Sequence, residues 1–189
     1  MKRFIFACLF TVLLIASSAF GASSSELKKM STFVSNFTEI GMNNFDVDEI
    51  SDSELAYFGI WHNWQNNFKT RIQRCPNKNC PYGGYIIDKK FVAESVKKFF
   101  DLEIEHQSAP DNYGHYDGKR YYHFEGADGE AVQARVYEAE KRDGLIIMTG
   151  ETYWPDNDEI EGSTFTAIAE PYKYNGKNTW AIISLEVDD

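Results

Sequence analysis

The stretch RCPNKNCP, Arg74 to Pro81, sets Cys75 and Cys80 five positions apart, each followed by proline. Several chemistries compete for such a pair. Thiol redox catalysis uses two intervening residues to hold the sulfurs close and depress one pKa, and c-type haem attachment needs a histidine after the second cysteine. Neither pattern is present. A structural zinc site needs four ligands, usually with two-residue spacings, and only four histidines exist in the chain. A four-residue gap can instead turn back on itself, and Asn77-Lys78-Asn79 is suitable turn chemistry. The expectation is a Cys75–Cys80 disulfide, stiffening the loop by about 2 kcal/mol.

A second set of residues suggests acid–base chemistry. Asp128-Gly129 and Asp143-Gly144 read as two-residue hairpin turns, which fixes the strand register on either side. His123 then lies opposite Ala134, Glu125 opposite Val132, Val136 opposite Glu151, and Tyr153 opposite Ala134. One face gathers Tyr121, His123, Glu125, Glu151 and Tyr153 over small or β-branched residues, so His123 paired with Glu125 or Glu151 could supply a base and an acid. The opposite face carries Tyr122, Phe124, Tyr137, Ala139 and Met148. If that face packs on the helices, the histidine and the glutamates decorate solvent.

Weaker ligand patterns complete the list. His62 and Asn66 stand one turn apart on the polar side of a helix and could bind a ligand together with Tyr121. Lys89, Lys90, Lys97 and Lys98 form a basic helix face. Asp156, Asp158, Glu159 and Glu161 crowd one loop with oxygen ligands suited to calcium. The EF-hand pattern fails there, because Ile160 stands at its fifth position and Glu161 at its sixth. No metal or cofactor motif is complete, and no glycine-rich phosphate loop occurs, so no cofactor is expected.

These residues are carried by helices followed by strands. Ser23-Ser24-Ser25-Glu26 and Ser51-Asp52-Ser53-Glu54 are capping boxes. The first opens a helix with Leu27, Met30, Val34, Phe37 and Ile40 on one face, ending at Gly41. The second opens a helix with Tyr57, Phe58, Trp61, Trp64, Phe68 and Ile72 on one face and Gly59, His62, Asn63, Asn66 and Thr70 on the other. Tyr85-Ile86-Ile87 is a short strand, and Asp88 caps a third helix that buries Phe91, Val92, Val96 and Phe99. Beyond Leu102, Asp-Gly and Asn-Gly pairs punctuate alternating runs, the signature of antiparallel hairpins. The fold class is α+β: three N-terminal helices on a curved antiparallel meander of four to six strands. Cystatin-like and NTF2-like rolls share that element order.

The N-terminus bears on the compartment. Lys2 and Arg3 precede an apolar run from Phe4 to Ala16 broken only by Thr11, and Ala19-Phe20-Gly21 supplies the small residues Ala19 and Gly21 at the cleavage positions. This pattern reads as a secretory signal over residues 1–21, with a single domain over 22–189 and no later membrane span. Cleavage would remove Cys8, leaving two cysteines in an oxidising compartment. It would also change the formal charge from −10 to −12 by taking Lys2 and Arg3. Such a field repels phosphate backbones, which disfavours nucleic acid as a partner. The expected role is an exported, noncatalytic binding or interaction domain, secreted or periplasmic, with a protein, small-molecule or glycan ligand. A small hydrolase or isomerase using His123 is the rival.

Overall fold

The computed structural model describes residues 21–77, 80, 82, 84–123, 131–157 and 161–188. The expected secretory signal up to Phe20, Phe124, Glu125, the expected turn at Asp128-Gly129, Asp158 and Glu159 lie outside the described residues. Three helices and two antiparallel sheets, of five and four strands, make the fold α+β.

Both capping boxes form. Helix α1 (Ser24–Thr38) begins at Ser23, whose backbone N–H donates to the Glu26 carboxylate at 2.9 Å. Helix α2 (Asp52–Arg71) begins at Ser51 with the same exchange to Glu54 at 2.8 Å. Helix α3 (Lys89–Phe100) starts where Asp88 accepts the Lys90 N–H at 3.0 Å. Each arrangement satisfies N–H groups that the first helical turn leaves without partners.

The larger sheet is the expected meander of β6 (Gln133–Arg142), β7 (Leu145–Tyr153), β8 (Thr164–Tyr174) and β9 (Lys177–Val187). A short β1 (Phe45–Asp46) is added beside β9. The tight turns at Asp143-Gly144 and Asn175-Gly176 place both central residues at positive φ, between 49° and 88°. That conformation matches the right-handed twist of the flanking strands and explains the Asp-Gly and Asn-Gly sequences.

The outermost strand on the other side, β6, is covered by α1. The Val136 N–H donates to Ser31 Oγ at 2.9 Å, and the Ala134 N–H to Ser35 Oγ at 3.0 Å. Thr38 Oγ1 donates to the Val132 carbonyl at 2.8 Å. Serines and a threonine three and four residues apart on one helix thus satisfy a strand edge that would otherwise invite pairing with another chain. Ser35 is buried, so Ser35→Ala should leave a buried backbone N–H without a partner. Thermal denaturation should show a loss of about 1–3 kcal/mol; wild-type stability would contradict this account of the edge.

The smaller sheet has the order β2-β3-β5-β4, formed by β2 (Ile72–Arg74), β3 (Tyr85–Asp88), β4 (His115–Tyr116) and β5 (Arg120–His123). Helix α2 lies between two cores as a result. Leu55 and Phe58 join the core of the large sheet, while Ala56 and Ile60 join Ile72, Ile87 and Tyr121 under the small one. The polar face of α2 is thus exposed only in part, at Asn66 and Thr70. Gly59, His62 and Asn63 are all buried. A Cβ on Gly59 would stand 2.5 Å from Val92 Cγ1, so glycine permits the close approach of α3. The Asn63 amide nitrogen reaches the Phe91 carbonyl at 3.1 Å and Ser95 Oγ at 2.8 Å, tying the two helices with a satisfied buried polar group.

Two register expectations also need correction. Strand β5 belongs to the small sheet, where His123 pairs with Tyr85 and not with Ala134. On the other side of β6, Ala139 lies opposite Met148 as the Asp143-Gly144 turn requires, but a β-bulge between Val136 and Glu138 shifts the remainder by one. Glu151 therefore pairs with Arg135 and Tyr153 with Gln133. The bulge leaves both Tyr137 and Glu138 exposed while Ala134, Val136 and Ala139 all face the core.

Candidate functional site: a lysine-lined groove beside the β8–β9 hairpin

Of the residues expected to do acid–base chemistry, His123 and Glu151 are not brought together, and Glu125 lies outside the described residues. His123 is 1% exposed in the small core, with its ring edge-on to Trp64 at 4.7 Å and tilted against Trp61 and Tyr85 at 6.0 Å. Tyr121 shares that face and is fully buried, its hydroxyl 2.8 Å from His106 Nδ1. Burial holds the Tyr121 phenol well above its usual pKa.

Glu151 and Tyr153 lie on the outer face of the large sheet. Arg135 sits 4.4 Å above the Tyr153 ring and 3.5 Å from Glu151, while the Tyr137 hydroxyl bonds the same carboxylate. The Tyr153 hydroxyl donates to Gln133 Oε1 at 2.7 Å. These contacts form a surface network belonging to a different sheet from His123.

His62 and Asn66 do meet, with Asn66 Nδ2 3.4 Å from His62 Nδ1. Asn66 also bonds the Glu39 carboxyl, whose pKa is raised by burial. His62 itself lies between Phe58, stacked at 5.5 Å, and Phe99 at 4.7 Å. Burial first, then the Lys98 and Arg71 charges, lower its pKa to about 3. It is a neutral core histidine at ordinary pH, poorly placed to exchange protons with a ligand.

Cys75 and Cys80 are free thiols in this structure, so the expected bridge is not formed, but they are neighbours. A hydrogen bond to Cys80 is the main cause that raises the Cys75 thiol pKa, with burial second. Among the described residues no three acidic, histidine or cysteine side chains gather to hold a metal, and Asp156 and Glu161 are simply exposed.

A different region has the form of a binding site. The Asp143-Gly144 and Asn175-Gly176 turns bring two hairpin ends to the same end of the large sheet, where the first turns of α1 pass over it. A groove of about 840 Å³ opens there. Lys29 from α1, Lys141 from β6 and Lys173 from β8 line it, with Tyr172 and Trp180 supplying aromatic surface. Among the described residues, none of the three lysines belongs to an ion pair. No family model matches the chain, and neither a curated protein nor a solved structure matches it.

The groove's walls are held in place by the surrounding fold. Trp180 rests on Phe33 of α1 with ring centroids 5.6 Å apart. The Tyr172 hydroxyl bonds Asp101, the residue that ends α3. Among the described residues Glu26 is the carboxylate of the lining, and its Oε2 already accepts from both the Ser23 N–H and hydroxyl, which lowers its pKa. It stays ionised and also attracts Lys29, so three lysines face one carboxylate and the balance of charge is positive. Sequence reasoning missed this site because its cations are spread from position 29 to position 173. The local signal was Lys173-Tyr174-Asn175-Gly176-Lys177 at a hairpin tip, with Trp180 in the returning strand.

Proposed function

We propose that this protein is an exported, noncatalytic binding domain that seats its ligand in the groove between α1 and the β8–β9 hairpin. The observation that carries this reading is the convergence of three lysines, free of ion pairs among the described residues, on one concave surface in a chain of net charge −10. Its volume falls in the range of small-molecule sites, and its lining is mostly charged and polar, with Pro171, Tyr172 and Trp180 supplying the apolar surface. Export is supported by the N-terminal pattern of a basic pair, an apolar run and small residues.

Chemical shifts offer a direct test of the binding reading. Titration with glucuronate, citrate and inorganic phosphate at millimolar concentrations should move the Trp180 indole N–H and the neighbouring amides of β8 and β9. Shifts confined to other surfaces, or absent for all three probes, would overturn the assignment.

Export also makes a covalent prediction. In an oxidising compartment the adjacent thiols should close to a Cys75–Cys80 disulfide. Intact mass of protein recovered from that compartment should fall two hydrogens short of the reduced chain. Two alkylatable thiols in undisturbed material would contradict the bridge.

A further inference from the structure

We propose that the groove takes an acidic oligosaccharide, a short chain of sugar rings bearing carboxylates; this rests on the groove being the binding site. Three observations lead there. The cations are lysines from three separate elements, so the positive charge is distributed along the groove instead of being focused on one point. That arrangement suits carboxylates repeated along a ligand better than a single multiply charged group.

The aromatic surface is the second observation. Trp180 is half-buried against Phe33 and Tyr172 is tethered to Asp101, so both rings are fixed before a ligand arrives. Fixed rings present apolar area at low entropic cost, which the C–H faces of sugar rings can cover. Asn178 and Thr179 lie in the same lining and add neutral donors and acceptors for hydroxyl groups.

Phosphate recognition is less well supported, which is the third observation. Among the described residues the lining contains no arginine, the side chain best matched to phosphate by its planar fork. The nearby helix N-terminus, ordinarily a ready anion site, already holds a carboxylate of its own: Glu26 accepts the Ser23 N–H while Ser23 accepts the Glu26 N–H. The chain's overall negative charge also opposes a long polyanion while tolerating a short one seated among lysines.

Titration calorimetry of the full chain can separate the possibilities, using a galacturonate hexamer, its fully methyl-esterified form, maltohexaose and hexaglutamate. The galacturonate hexamer should bind, weaken as salt is added, and lose at least about tenfold in affinity in the Lys29→Gln/Lys141→Gln/Lys173→Gln variant. These lysines are outside the core, so circular dichroism should match wild type and exclude misfolding as the cause. Equal binding of the ester or maltohexaose would overturn the acidic class, and equal or tighter binding of hexaglutamate would overturn the carbohydrate class; in both cases the groove assignment stands if the lysine variant weakens binding. Acid-selective binding that survives the lysine replacements would overturn this proposal and the groove assignment together. Absence of binding by the galacturonate hexamer at millimolar concentration would overturn the proposal alone.

Discussion

Phe37→Ala should be the most damaging single truncation in the large core, costing about 3–5 kcal/mol. Phe37 is fully buried on α1. Its ring contacts Phe45 of β1 at 5.6 Å, Phe58 of α2 at 5.1 Å, and Phe99 and Phe100 of α3 at 6.0 and 5.6 Å. Four elements therefore meet at one side chain, and collapse around the cavity would require all of them to move. Domains of this kind are stable by only about 5–15 kcal/mol, so the loss is a large fraction of the total. For a chain of this size the melting temperature should fall by roughly 10 °C. A change of less than about 3 °C would mean that the aromatic cluster is not the organising core. Because Phe33 on the same helix supports Trp180, any surviving folded Phe37→Ala protein should also bind groove ligands more weakly.

Acid sensitivity is the second large effect. Burial, followed by repulsion from Lys98 and Arg71, holds His62 at about 3 in the folded protein, against about 6.5 when unfolded. Between those values the unfolded chain binds a proton that the folded chain refuses. The contribution of His62 is therefore fully present above about pH 6.5 and is lost as pH falls toward 3, at up to about 1.4 kcal/mol per pH unit. Lowering of the His106 pKa, again mainly by burial, acts in the same direction. Glu39 acts in the opposite direction: its raised folded pKa adds stability at low pH that is lost as pH rises through that value. Comparing wild type with His62→Leu by urea denaturation between pH 7 and pH 4 isolates the histidine. The variant should lose less stability across that range than wild type. Parallel curves would show that His62 becomes protonated without cost in the folded state.

Features governed by adjacent residues were legible in the sequence. The two capping boxes, the Asp88 cap, and the turns at Asp143-Gly144 and Asn175-Gly176 each depend on local backbone geometry. The strand boundaries of the meander follow from those turns. Features that depend on distant packing were not legible. The aromatic and polar sides of α2 looked like an inside and an outside, yet a second sheet covers one side and α3 the other, so His62, Asn63 and Gly59 are buried.

His123 and Glu151 are kept apart for two separable reasons. Strand β5 joins β3 and β4, a choice that the local pattern of Tyr121-Tyr122-His123 does not record. The bulge beside Tyr137 then moves Glu151 from Val136 to Arg135, a one-residue change that periodicity alone cannot detect. The groove was invisible for a related reason. Its lysines and aromatic residues are ordinary within their own segments and become a site only when α1 crosses the end of the sheet. Ser31, Ser35 and Thr38 help fix that crossing by bonding the outer edge of β6.

The central claim is that ligand binds where Lys29, Lys141, Lys173 and Trp180 meet. Crystals of the protein soaked with the galacturonate hexamer test it most directly. The claim predicts sugar density along the groove, with a ring against Trp180 or Tyr172 and carboxylates within ion-pairing distance of at least two of the three lysines. An empty groove with the hexamer bound at the outer sheet face around Arg135 and Tyr153 would contradict it.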